Sequence, residues 1–139
     1  LRELSDEDQG EVARWVALWK QMRGLVEGGF PVHADLSDPA MDVRGLVSDD
    51  KSRAVFTITQ VTTSACHPPA AVHLPGLDPS KKYRVRALST APSYPHPGQS
   101  KLAWIEDGLT ATGQTLENVG LRPPLQFPAE SLLVEVTAV

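Results

Sequence analysis

Six apolar residues near the start of the chain, Val12, Trp15, Val16, Trp19, Met22 and Val26, recur at spacings of three and four. On a helix of about 3.6 residues per turn they form one continuous stripe. Leu18 and Leu25 widen the stripe on one side. Ser5 is a good N-cap, with Glu7 and Asp8 in the first turn, where carboxylates favour the positive end of the helix dipole. Ser-x-x-Asp is a weaker capping box than Ser-x-x-Glu. Gly28 and Gly29 supply the stop and Pro31 blocks continuation. The pattern predicts one long amphipathic helix within residues 1–29.

From Phe30 the period changes to two. Phe30, Val32 and Ala34 fall on one side of a short strand. "VRGLVS" and "AVFTITQV" read as strands joined by "DDKS", a turn with hairpin chemistry. Phe56 and Ile58 alternate with Thr57 and Thr59, so one face is predicted dry and the other wet. Further strands are expected at Val72 to Leu74, at Tyr83 to Leu88 and within "LAWI", and "STAPSYPHPGQSK" is expected to be an exposed Pro-rich loop. Gly113 and Gly120 read as turn or bulge positions, and "RPPLQFPAE" as an extended edge that its prolines bar from helix. "SLLVEVTAV" is the best strand of all. Seven or eight short strands without a later helix predict a mainly β fold, an antiparallel β-sandwich over residues 30–139, preceded by the helix.

A two-sheet sandwich buries its own inner faces and has no need of a stripe with two indoles. Burying that stripe is worth on the order of 10 kcal/mol gross, before conformational entropy is subtracted. The helix is therefore expected to dock on the outer face of a sheet, on another domain, or on another copy of itself. Val12, Trp15, Val16, Trp19, Met22 and Val26 are the expected docking residues. The chain opens abruptly before a helix cap, and the expectation is that it forms part of something larger.

Composition narrows the classes. The 139 residues are about one domain's worth, 41% hydrophobic and 22% charged, with a net charge of −4 that gives no nucleic-acid footprint. Lys81, Lys82, Arg84 and Arg86 alternate along a strand and read as a solvated face. One cysteine, Cys66, forbids an internal disulfide and favours a reducing, cytoplasmic setting. No stretch is apolar enough to span a membrane as a helix.

Candidate chemistry is sparse. Asp6, Glu7 and Asp8 read as capping residues, and Asp49 with Asp50 and Glu106 with Asp107 as turns. His33, His67, His73 and His96 lack ligand spacing, and Cys66 beside His67 points to the opposite strand face, so no metal or cofactor is expected. Ser64, Ser93 and Ser131 lack a nucleophile elbow. Tyr94 and Trp104 flank the Pro-rich loop and are weak candidates for stacking on a sugar.

"LSDEDQGEVARWVALWKQMRGLVEGG" resembles the last barrel helix and exit segment of bacterial α-galactosidases of glycoside hydrolase family 36, with their Leu-Ser-acidic cap, Trp-bearing helix and Gly stop. "PGLDPSKKYRVRAL" resembles a hairpin, and "LTATGQTLENVGLRPPLQFPAESLLVEV" the closing stretch, of that family's C-terminal antiparallel domain. The segment from "CHPPA" to "QSKLAWI" matches least. The resemblance implies that residues 1–29 are the terminal helix of a catalytic β/α barrel, which would be the partner of residues 30–139. It implies a parent that hydrolyses terminal α-linked galactose with retention, through two carboxyl groups about 5 Å apart. In the family both aspartates stand upstream of the matching segment, so no catalytic residue is carried over, and the chain alone is expected to be structural and inactive. "GLDPSKKYRVRAL" is also similar to a fibronectin-type strand, which keeps a spacer module open, as the two aromatics keep open a carbohydrate-binding module.

Overall fold

The computed structural model describes residues 3–88 and 102–139. The Pro-rich loop and Tyr94 lie outside the described residues. The elements run α1 (Asp6–Gly28), β1 (Phe30–His33), β2 (Met41–Val47), β3 (Arg53–Gln60), β4 (Lys82–Ala87), α2 (Ala103–Asp107), β5 (Leu109–Thr112), α3 (Gly113–Asn118) and β6 (Ser131–Ala138).

The six strands form one antiparallel sheet in the order β1-β2-β3-β6-β4-β5. The mainly β, antiparallel fold behind one long helix is as the sequence predicts. The strand count is lower. Val72 makes only an isolated bridge to Leu121, "LAWI" folds into α2, and the run after Thr112 folds into α3. Each change has a local cause. The Thr112 hydroxyl accepts the Thr115 N–H at 3.2 Å and caps α3, while Leu116 anchors that helix as a fully buried residue. α2 has no side-chain cap and closes at Gly108, whose φ of 75° suits glycine.

Alternation decides the two faces of the sheet. Val43, Val47, Ala54, Phe56, Ile58, Tyr83, Val85, Leu132, Val134 and Val136 point inward and are completely buried. Across from them lie Val72, Leu74, Leu77, Leu116 and Leu121, so the layer over this face is built by the loops of residues 61–81 and 113–130 with α3. Gly45 sits opposite Phe56 across β2 and β3, and a Cβ there would lie 2.4 Å from the ring, so the aromatic packs flat on bare backbone. The Tyr83 hydroxyl donates to the Lys51 carbonyl at 2.7 Å and accepts the Asp78 N–H at 2.9 Å, tying the β2–β3 turn to the turn before β4.

β6, the last strand, is central, flanked by β3 and β4. That position explains its run of three buried residues, Val134, Glu135 and Val136, and the matching run Ala54, Val55 and Phe56 on β3. Val55 and Glu135 are Cα partners that face outward, under cover supplied by α1 and by neighbouring arginines.

Candidate docking surface

α1 begins where the cap residues require. The Ser5 hydroxyl accepts the Asp8 N–H at 3.1 Å, and the Asp8 carboxylate accepts from the Ser5 N–H and hydroxyl at 3.3 and 2.6 Å. Asp6, Glu7 and Asp8 all occupy the first turn, where they complement the dipole. At the other end the Gly29 N–H closes on the Leu25 carbonyl at 2.7 Å, and the chain passes straight into β1.

Only one flank of α1 meets the sheet. Met22 and Leu25 are buried, at 8% and 7% exposure, and with Leu18 they pack on Val55, Leu46, Leu133 and Leu88. The helix therefore lies on the outer face. Of the six docking residues named from the sequence, Met22 is buried within this chain. Val12, Val16 and Val26 are exposed, as are Trp15 at 42% and Trp19 at 56%. The flank that the sequence marked as a widening of the stripe is in contact together with Met22, and the other five stripe residues stand exposed. The guanidinium of Arg14 lies 5.7 Å from the Trp15 ring centre. A groove of about 200 Å³ runs beside Trp15, Ala17, Leu18, Gln21 and Leu88.

Next to the apolar contact sits a charged knot that sequence reasoning missed. Glu135 on β6 has a side chain only 8% exposed. One of its oxygens accepts from Arg53 Nε and Nη2 at 3.1 and 2.8 Å. The other accepts from Arg86 Nε and Nη2 at 2.9 and 2.7 Å. Both pairs are fork-to-carboxylate contacts of the strong kind. Burial pushes the Glu135 carboxyl up, but Arg86 and Arg53 more than reverse this and hold it below the usual carboxylate value. Arg53 has one further donor, Nη1, which reaches the Gln21 carbonyl of α1 at 3.0 Å. A shallow cleft of about 720 Å³ continues from this knot past Arg84, Glu106, Asp107 and Thr137. Arg84 bonds the Asp107 carbonyl within it. Lys82, Arg84 and Arg86 are exposed at alternate positions of β4, as the solvated-face reading expects, and Arg86 additionally pairs with Glu135. A signal was present in "VEV", where a lone acid sits inside the most apolar strand, at a position that has to face outward.

The remaining candidates have local explanations. Asp50 caps the β2–β3 turn. The Ser52 N–H and the hydroxyls of Ser48 and Ser52 hold its carboxyl down to about 2. Asp42 accepts from His33 Nε2 at 2.9 Å and Arg44 Nε at 2.8 Å, and the His33 bond leads in lowering its pKa. Trp104 lies on α2, half-buried against the core, with Nε1 donating to the Arg122 carbonyl at 2.9 Å. Cys66 is exposed. Among the described residues no group of three or more His, Cys, Asp or Glu is placed to hold a metal ion, and no helix is long and apolar enough to cross a membrane.

Comparison with known proteins adds independent findings. The model of the glycosyl hydrolase family 36 C-terminal domain matches residues 42–136, a span from β2 into β6 that leaves α1 outside it. An alpha-galactosidase of Escherichia coli is 29% identical over 126 residues, covering 87% of this chain and 18% of that protein. In fold, a GH36 alpha-galactosidase from Geobacillus stearothermophilus superposes with a TM-score of 0.75 at 23% identity, over 100% of this chain and 17% of that one. The alpha-galactosidase from Lactobacillus brevis gives 0.73 at 22% identity, over 99% and 17%. The chain thus spans less than a fifth of the length of these relatives, and the structural likeness includes α1.

Proposed function

Because this chain belongs to the glycosyl hydrolase family 36 C-terminal domain family, we propose that it is the non-catalytic C-terminal part of an α-galactosidase. Its task is structural. Residues 30–139 form a rigid antiparallel body, and residues 1–29 are the terminal helix of a β/α barrel that carries the hydrolytic carboxylates. α1 is then shared between the two, with Leu18, Met22 and Leu25 on the sheet and Val12, Trp15, Val16, Trp19 and Val26 on the barrel.

The observation that carries this reading is the division of the helix: an apolar stripe with two indoles left bare beside a flank already docked. Bare apolar stripes of this kind mark interaction surfaces. The family match beginning at Asp42, after the helix, is consistent with a boundary near Gly29. The half-buried Trp104, with its N–H already engaged, offers little to a sugar, which weighs against a carbohydrate-binding module. The exposed Cys66 fits a parent that works in the reducing cytoplasm. The parent cleaves terminal α-linked galactose with retention, and this chain alone is inactive. A nitrophenyl α-galactoside assay on the 139 residues tests that, with release at the buffer rate expected. Faster turnover would overturn the non-catalytic assignment.

A further inference from the structure

We infer that the partner of α1 also lies on the sheet: the bare stripe and the strip of outer face carrying Arg44, Thr57, Thr59 and Ser131 form one two-walled corner, which takes a second helix laid alongside α1. This rests on the docking reading above and adds where the barrel sits and what it presents. The direction of the stripe follows from helix geometry. Counting about 100° per residue from Met22, Leu18 and Leu25 stand at about −40° and −60° and Gln21 at about −100°, while Trp15, Val26, Trp19, Val12 and Val16 stand at about +20° to +120°. Leu18, Met22 and Leu25 are the residues on the sheet. The stripe is therefore turned roughly a quarter of a circle from the contact, and it points along the sheet surface instead of straight out.

The register shows which half of the sheet the stripe overlooks. Arg53, Val55, Thr57 and Thr59 are the outward residues of β3, in that order. Val55 lies under α1, and Arg53 Nη1 reaches the Gln21 carbonyl at 3.0 Å, on the flank away from the stripe. Thr57 and Thr59 are thus on the stripe side. Their Cα partners are Arg44 and Leu133 for the first, and Asp42 and Ser131 for the second. Outward residues of one strand are about 6.8 Å apart and adjacent helices pack about 8–10 Å apart, so a helix beside α1 sits over Thr57 and Thr59. Area requires both walls. Two tryptophans and three valines at roughly half exposure offer about 400 Å², against about 800 Å² per partner in a standard interface. The walls differ in chemistry. The stripe is apolar, whereas the floor carries the hydroxyls of Thr57, Thr59 and Ser131 and the 73% exposed side chain of Arg44, which can take a carboxylate from above. The occupant is a barrel helix that is apolar toward α1 and polar or acidic beneath.

Maleimide labelling of single thiols in a Cys66→Ser background tests the corner. Arg44→Cys and Ser131→Cys place thiols at exposed positions on the stripe side, and Thr137→Cys places one at an exposed position on the Arg53 side. Each is labelled in the isolated chain and in the same chain joined to its upstream barrel, with indole oxidation read in parallel. On joining, labelling of Arg44→Cys and Ser131→Cys is expected to slow severalfold, while Thr137→Cys changes little. Ser131→Cys decides alone should the loss of Arg44 disturb the pairing of β1 with β2. Protected indoles beside unchanged stripe-side thiols would overturn the corner and leave the docking reading standing. Equal slowing at Thr137→Cys would mean that the whole outer face is covered, and overturns the corner as well. Indoles and thiols that all stay reactive would remove both readings.

Discussion

The two faces of the sheet are covered in different ways. The inner face is closed by apolar side chains and loops of the same chain, with Phe56, Ile58, Tyr83, Leu132, Val134 and Val136 wholly buried. The outer face is covered only in part, by one flank of α1 and by a buried carboxylate between two arginines, and exposed residues such as Arg44, Arg84 and Thr137 make up much of the rest. Non-directional burial on the inside accounts for a stable body. The outer face combines directional contacts with an apolar surplus, as expected of a surface that has to hold an orientation and still meet something else.

Variants can sharpen that contrast, beginning with the largest effect. Phe56→Ala removes a ring packed on Gly45 at the centre of the inner face and is expected to cost about 3–5 kcal/mol in urea unfolding. A loss below about 1 kcal/mol would mean that the inner layer is loosely packed.

On the outer face, Glu135→Ala leaves two guanidinium groups without their acceptor. Breaking a buried pair costs about 3–5 kcal/mol, and the low end is expected because the Arg86 side chain is 61% exposed. The same knot sets an acid dependence. The Glu135 carboxyl lies below its ordinary 4.5 in the folded chain, so its stabilisation is complete above that pH and is lost as pH falls through the lower folded value. Asp50 adds to the acid loss between 3.8 and about 2, at the β2–β3 turn. Urea midpoints measured against pH should fall less steeply on the acid side for Glu135→Gln than for the parent sequence. Parallel curves would show that the carboxylate is not what the arginines stabilise.

The smallest stability effect belongs to the bare stripe. Trp15→Ala with Trp19→Ala should change unfolding of this chain by less than about 0.5 kcal/mol, as for exposed positions in general. A loss of several kcal/mol would mean that the indoles are buried in solution, by the sheet or by a second copy, and sedimentation distinguishes those two.

The sequence made the local elements legible. Ser5 with Asp8, and Gly28 with Gly29, bracket α1 closely. "DDKS" marks the β2–β3 turn, and "SLLVEVTAV" marks β6. The order of strands was not legible, because β6 pairs with β3 across more than seventy residues and no local pattern records that partner. "LAWI" is too short an apolar run for periodicity to separate strand from helix, and α3 depends on a threonine cap that reads equally well as a turn. The site was half legible. Periodicity finds the apolar face of α1 but is silent on which edge of it meets the sheet. Leu18 and Leu25, at the margin of the pattern, join Met22 on the sheet, and Arg53 and Glu135, 82 positions apart in the chain, meet beside Gln21 of the same helix.

The central claim is that the exposed stripe of α1 is a docking face for an upstream catalytic barrel. Oxidative footprinting of Trp15 and Trp19 in this chain alone, and in the same chain joined to such a barrel, tests it most directly, with Trp104 as the internal standard. The account predicts that both indoles are oxidised readily in the isolated chain and become strongly protected in the joined form, while Trp104 changes little. Equal reactivity of Trp15 and Trp19 in the two forms would contradict it.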